Sequence, residues 1–395
     1  MEEIRLGDIC EIKSSKRIYQ SEYSEKGVPF YRGKEISELS RGENPQVELY
    51  ITRERYEELK EKFGAPKKGD LLITSVGTIG NTWVSDGREF YYKDGNITQI
   101  IDNENINTKY ISYLFKADIL KRQYLGESTG TAQVALTIAK LNNLLVPISS
   151  IDIQNKIVEI LDKAQELIDK RKEQIESLDE LVKSKFIEMF GDPVSNPKGW
   201  EKGKIADIII KTQYGTSNKA NEENGQFKIL RMGNITYNGQ FDFSDMKYID
   251  LTEDEQKKYL VYKGEVLFNR TNSKELVGKT AVYKENEPMA YAGYLVKAIP
   301  NERATGEFIA AYMNTKYVKS KLLNMAKNIV GMANINAEEF KKIDIYIPPI
   351  ELQNEYIKFI EQVDKLKVRM EKSLKELDDN FNSLMKKAFN NELFK

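Results

Sequence analysis

The 395-residue chain is long enough for roughly two to four domains, and its 40% hydrophobic and 31% charged residues allow filled cores beneath a solvated surface. With no histidine and one cysteine, it excludes Ser-His-Asp triads, Cys-His dyads, HExxH zinc sites and internal disulfides. A net charge of −1 gives nucleic acid no general attraction, no apolar run approaches the ~18 residues of a membrane helix, and the acidic start MEEIRLGDIC does not read as a secretory leader. A cytoplasmic protein that meets no membrane is expected.

From the N-terminus, LGDICEI (6–12) is an apolar alternation in which Cys10 reads as a small buried core residue. FYRGKEIS (30–37) places Arg32 where a short apolar run meets a glycine turn. KKGDLLIT (67–74) predicts a buried strand, and GTIGN (77–81) a turn, since its two glycines lack the setting of a nucleotide loop. Helical stretches and Gly-rich turns fall between these runs, and YISYLFKADILK (110–121) follows them. With TWVS and FYY as further strands, residues 1–150 form an α/β (α+β) globule.

A long helix follows in 151–192. Ile157, Leu161, Ala164, Ile168, Arg171, Ile175, Leu178, Val182, Lys185 and Met189 keep a strict 4,3 spacing, and eight of the ten are apolar. That is a coiled-coil seam. It should begin near Gln154, after Pro147 and Ser149–Ser150, and end by Gly191, where GDP joins a cap glycine to a breaking proline.

Everything then repeats. IADIIIK (205–211) follows LGDICEI, ILRMGNIT (229–236) follows FYRGKEIS, VYKGEVLFN (261–269) follows KKGDLLIT, FIAAYMNTKYVK (308–319) follows YISYLFKADILK, and PPIELQNEY (348–356) follows SSIDIQNKI (149–157). Five matches in one order at offsets of 195 to 199 indicate duplication. A second globule thus spans 193–349 and a second helix 350–395. In that helix Tyr356, Ile360, Val363, Lys367, Met370, Leu374, Leu377, Phe381, Leu384 and Ala388 form the seam, nine of ten apolar. Each helix of roughly 37 residues measures about 55 Å. Two equivalent seams in one chain pair most simply antiparallel; the alternative packs each helix on its own globule.

Catalytic motifs are missing: no Walker loop, no GxGxxG after a strand, and no Asn/Asp-Pro-Pro-Tyr of adenine methyltransferases. Triplets such as Glu58–Leu59–Lys60 are expected by chance in so charged a chain. No cofactor or metal is expected in it. A binding protein with two similar heads at a fixed separation suits an extended, repetitive ligand, and double-stranded DNA fits. Copy one offers Lys13, Lys16, Arg17, Tyr31, Arg32 and Lys34, with Thr74, Ser75 and Thr78 after the strand. Copy two offers Lys219, Arg231 and Asn234, then Asn269, Arg270, Thr271, Asn272 and Lys274 in the polar run NRTNSK. Arginine and asparagine read base edges, and lysine, serine and threonine favour phosphates. Arg32 and Arg231 occupy matched places; a structural role would pair them with carboxylates such as Asp8 or Asp207. Net charge is −1 over 1–150, −3 over 151–190, +3 over 191–350 and zero beyond, so a partner should supply much of the positive surface.

Two globules alternating with two long helices, the LGDI start, KKGDLLIT and YKGEVLFN, the GTIGN and VGKTA (277–281) turns, SSIDIQN and PPIELQN, FGDP (190–193) and MKKAFNNELF (385–394) together resemble the DNA specificity subunit of type I restriction–modification systems. The resemblance covers essentially the whole chain. Ser149–Ser150 stand where that family often has Pro-Pro, which touches only the rigidity of the first helix entry. The resemblance implies that each globule is a target recognition domain reading half of a bipartite, asymmetric site. It implies antiparallel helices that space the halves and dock two modification (methyltransferase) subunits. S-adenosylmethionine, ATP and magnesium would belong to the modification and restriction subunits. A freestanding DNA-binding regulator and a protein-interaction scaffold are the rival readings.

Overall fold

A computed structural model describes residues 2–117, 119–125, 135–329 and 332–393; Asp118 and Phe394 of the motifs above lie outside the described residues. The heptad runs form two continuous helices, Ile151–Phe190 and Ile350–Phe389. The first starts three residues before Gln154, because Ser150 already offers its carbonyl to the amides of Ile153 and Gln154. It stops at Gly191, which adopts φ +86°, a left-handed conformation that glycine enters without strain. Trp200 Nε1 donates to the Phe190 carbonyl and Tyr346 Oη to that of Gly191, both at 2.8 Å, satisfying acceptors left over at the helix end.

The chain divides into two compact units, residues 1–172 with 372–395, and residues 173–371, so each unit takes part of each long helix. In the first unit, Glu2–Arg5 pairs antiparallel with Leu145–Ile148. A four-stranded sheet runs Ile12–Lys13, Ile97–Ile100, Leu71–Thr74, Thr82–Val84, and another runs Tyr23–Ser24, Tyr50–Ile51, Val28–Tyr31, Tyr91–Tyr92. Every residue of Leu71–Thr74 is buried. The core joins Leu71, Ile73, Tyr110, Ile111 and Leu114 to Ile157, Leu161 and Ile168 of the first long helix and to Phe381, Met385, Ala388 and Phe389 of the second. The beginning of one helix therefore meets the end of the other, an antiparallel pairing.

The second unit repeats the plan. Glu201–Lys204 pairs with Asp344–Ile347. One sheet runs Ile209–Tyr214, Leu295–Pro300, Val266–Asn269, Thr280–Val282, and the other Lys247–Ile249, Phe227–Leu230, Met289–Tyr291, Leu260–Val261. In both units the strand before the matched arginine pairs parallel with its partner, Val28–Tyr31 with Tyr91–Tyr92 and Phe227–Leu230 with Met289–Tyr291. A three-stranded sheet runs Thr271–Asn272, Met332–Asn334, Lys327–Ile329. Here the end of the first helix meets the start of the second: Phe186 and Phe190 pack with Tyr356 and Phe308 at centroid separations of 5.1 to 5.9 Å. Such pairs add about 0.5–1.5 kcal/mol each beyond area burial.

All twenty seam positions are buried or half-buried. Leu167, Leu181, Ile187, Leu366 and Val368, which fall off the seam, are exposed. The polar seam position Lys367 reaches Asp179 of the first helix at 2.7 Å. A single polar pair of this kind favours one register over its neighbours.

Candidate nucleic-acid interface

The loop after the central strand is built on one backbone plan in both copies. The Thr74 amide donates to Asn81 and the Gly80 amide returns to Thr74; the Asn269 amide donates to Lys279 and the Gly278 amide returns to Asn269. One residue on, the Ser75 amide reaches the Asn96 carbonyl and Leu136 donates to Ser75, while Arg270 reaches Tyr294 and Ile335 donates to Arg270. Thr74 thus matches Asn269, and Ser75 matches Arg270.

Several polar residues of these loops are turned inward. Thr74 is fully buried, donates to the Thr78 carbonyl and accepts from the Asn81 amide at 3.0 Å. Ser75 is buried against Thr98 at 2.7 Å. Asn269 is fully buried, with Nδ2 3.5 Å from the Met232 carbonyl. Asn234 is buried, accepts from the Arg231 amide at 2.9 Å and donates to the carbonyls of Asp242 and Asp245. In copy one Tyr31 is buried and stacks on Phe90 at 4.7 Å. These five side chains are withdrawn from solvent and hold the loops from within. Thr78 is exposed and its hydroxyl meets Ser37 at 2.8 Å.

The cations fall into two groups. Arg32 is paired with Glu35 at 2.7 Å and Glu48 at 2.9 Å, and Lys34 with the same Glu48 at 2.7 Å. The Glu35 hydrogen bond, outweighing partial burial, raises the Arg32 pKa further; the bond from Lys34 and then that from Arg32 lower the Glu48 pKa. Arg17 pairs with Asp94 at 3.0 Å and Arg231 with Asp245 at 2.8 Å. The carboxylate pairing of the alternative, structural reading is thus present, but with Glu35, Glu48 and Asp245 in place of Asp8 and Asp207; Asp207 accepts from the Lys204 amide at 2.7 Å. By contrast Lys16, Lys219 and Lys274 are exposed and form no ion pair among the described residues, Lys16 standing 5.5 Å over Phe63. Thr271 and Asn272 are half-buried in their strand, Thr271 accepting from Asn334 at 2.8 Å. Arg270 also lacks a carboxylate among the described residues; its guanidinium lies 4.8 Å over the Tyr214 ring.

Sequence reasoning missed two features. Lys279 and Lys297 are buried cations whose ammonium groups bind the Met232 and Leu260 carbonyls at 2.9 and 2.7 Å, and burial lowers both pKa values. Tyr214 and Asn334 flank Arg270 from distant parts of the chain. The bulky tyrosine ending a strand before a Gly-Thr turn was the available signal. Among the described residues no cluster of His, Cys, Asp and Glu could hold a metal ion, and no helix is long and apolar enough to cross a membrane.

A strand-and-helix domain occurs twice in the chain, each copy followed by a long helix whose apolar seam is buried or half-buried. The model of the type I restriction modification DNA specificity domain matches residues 1–178 and again 197–377, and the chain belongs to that family. It is 26% identical over 201 residues to the putative type I restriction enzyme MjaX specificity subunit of Methanocaldococcus jannaschii, covering 50% of this chain and 47% of that one. It is 25% identical over 201 residues to the EcoKI specificity subunit of Escherichia coli K12, covering 49% and 43%. The matched region is about half the length of these curated relatives. Among solved structures, a chain from work on assembly and conformational transition of the type I R-M system aligns over 99% of this chain and 98% of its own, with TM-score 0.61 and 17% identity. The S subunit of M. genitalium aligns over 98% and 96%, with TM-score 0.53 and 16% identity. Both likenesses concern the fold.

Proposed function

We propose that the chain is the non-catalytic DNA-recognition subunit of a type I restriction–modification complex, each globule reading one half of a bipartite, asymmetric site. The observation that carries this is the duplication itself. One backbone plan appears twice, with different side chains at the strand-end loop: Thr74 and Ser75 in one copy, Asn269 and Arg270 in the other. Two heads of like fold and unlike surface suit a split site with unlike halves.

The antiparallel seam helices act as the spacer, and their outer faces dock two modification subunits. Leu167, Leu181, Ile187, Leu366 and Val368 are exposed apolar side chains on those faces, the kind a docked subunit covers. S-adenosylmethionine belongs to the modification subunits, and ATP and magnesium to the restriction subunits. A partner also answers the charge balance. Tight binding by phosphate neutralisation needs many cations, whereas here Arg17, Arg32, Lys34 and Arg231 are paired with carboxylates.

The test is to purify the chain with and without a modification subunit and map the adenines methylated on genomic DNA. The expected result is methylation only by the complex, at a split motif with a fixed gap. Methylation at one continuous motif would contradict the two-headed reading. Tight, specific binding by the chain alone would favour a freestanding regulator.

A further inference from the structure

Of the three arginines between residues 191 and 349, Arg231 is paired with Asp245 at 2.8 Å and Arg303 with Glu201 at 2.6 Å. Arg270 has no carboxylate among the described residues. Its Nη1 and Nη2 stand 3.5 and 3.4 Å from the Gly293 carbonyl and Asn334 Oδ1, the outer limit of a hydrogen bond. Its Nε is buried without an acceptor. The guanidinium is nevertheless held in place. It lies over the Tyr214 ring at 4.8 Å, and that ring is anchored where Tyr214 Oη accepts from the Ala337 amide at 3.0 Å. Asn334, bonded to Thr271 at 2.8 Å, flanks it. Exposed Lys274 and Tyr294 lie next in the loop and at the main-chain partner of Arg270.

A charged fork stacked on a fixed ring has given up its rotamer freedom without gaining a counter-charge. That is preorganisation for an external acceptor pair. The guanine edge in the major groove, with O6 and N7 side by side, matches the fork as a bidentate acceptor. A phosphate could also accept from the fork, but losing a phosphate contact weakens all sequences alike, whereas a base contact acts at one position. We propose that Arg270 is the specificity-determining residue of the second globule and reads a guanine in its half-site. The same station in the first globule holds Ser75, turned inward on Thr98, so this reader is absent there and the heads differ at this point. The inference rests on the DNA-reading function proposed above.

The test uses the full chain in complex with modification subunits, with methylated motifs mapped for the wild type, Arg270→Ala and Arg270→Lys. Wild type should give a split motif containing a G·C pair in the half read by residues 193–349. Arg270→Ala should lose discrimination at that one pair by about tenfold to a hundredfold and leave the other half unchanged. Should Arg270→Ala fail to fold, Arg270→Lys carries the same test, since lysine keeps the charge but not the fork. Relaxation at one pair supports the proposal. An unchanged motif, or equal weakening on all sequences, overturns it. A wild-type complex that yields no split motif would instead overturn the function on which the proposal rests.

Discussion

Gln154 and Gln353 hold the same post in the two copies, three residues into each long helix, and both are completely buried. Gln154 Oε1 accepts from the Asn107 amide at 2.9 Å while Nε2 donates to the Ser149 carbonyl at 2.9 Å. Gln353 Oε1 accepts from the Thr305 amide at 2.9 Å, and its Nε2 donates to the carbonyls of Arg303 and Pro348 at 3.0 and 2.9 Å. Each amide ties a helix entry to the cap of a neighbouring helix. Gln353→Leu keeps the bulk but strands a buried donor and two carbonyls, at about 1–3 kcal/mol for each group left unsatisfied. A drop of about 2 kcal/mol or more in urea-unfolding stability is expected, and a change below about 0.5 kcal/mol would deny the staple. Cys10 supplies a second check. It is 7% exposed, and burial pushes its thiol pKa up to about 12. The folded protein therefore keeps the proton that the unfolded chain releases, so this thiol's contribution to stability is lost as pH rises from about 9 toward 12. At pH 8, Cys10 should resist a thiol reagent in the native protein and react on unfolding; rapid native labelling would contradict its burial. Polar residues show why the site was only partly legible. Lys16 and Lys274 are exposed, but Asn269, Ser75 and Thr74 look in sequence like any loop polar residue, and only the fold turns them inward. Likewise the ion pairs of Arg32 with Glu48 and of Arg231 with Asp245 span 16 and 14 residues, and no local pattern announces them.

Among the elements, the long helices were the most legible because their signal is periodic and sustained. A 4,3 spacing over ten positions leaves one face to bury, and Leu161, Ile168, Tyr356 and Phe381 are buried on that face. The globules were less so. Short strands such as Ile12–Lys13 and Tyr91–Tyr92 contain two residues each, too few to show alternation, and their places are decided by partners far along the chain. The parallel pairing of Val28–Tyr31 with Tyr91–Tyr92 is of that kind. The seam allows a matched comparison inside one helix. Leu178 is 8% exposed and Leu181, three residues on, is 47% exposed. Leu178→Ala should cost about 2–5 kcal/mol, while Leu181→Ala should stay within about 0.5 kcal/mol. Leu178→Asp, burying an unpaired charge, should cost more than the alanine. Equal effects at 178 and 181 in parallel chemical denaturations would dissolve the seam. The Asp179–Lys367 pair is partly solvated, so a double-mutant cycle should return a coupling of only about 0.2–1 kcal/mol. Its weight lies in register, which the reversed pair Asp179→Lys with Lys367→Asp should preserve.

For the molecule as a whole, the proposed spacer makes a prediction about distance that is independent of any base contact. An insertion that keeps the seam in phase must be seven residues long, because four residues would rotate the following apolar face out of register. The helices pair antiparallel, so a heptad added to one alone would leave seven residues without a partner. One heptad must enter each helix at facing positions. Residues 171–177 of the first helix and 367–373 of the second are the natural places, since the division between the two compact units falls there, after Lys172 and after Glu371. Seven residues at 1.5 Å rise lengthen the pair by about 10 Å, and duplex DNA at 3.4 Å per step takes up that length as about three base pairs. The paired insertion, in complex with modification subunits, should therefore move the preferred gap outward by about three base pairs while both half-site sequences remain as they were. Exchanging residues 195–347 for the corresponding domain of another specificity subunit should do the converse, changing one half-site and leaving the gap unchanged. Mapping methylated motifs for both variants separates the two properties. If the paired insertion altered the bases recognised, or left the gap at its original length, the helices would not be the spacer, and the separation of the half-sites would have to be set by the partner subunits.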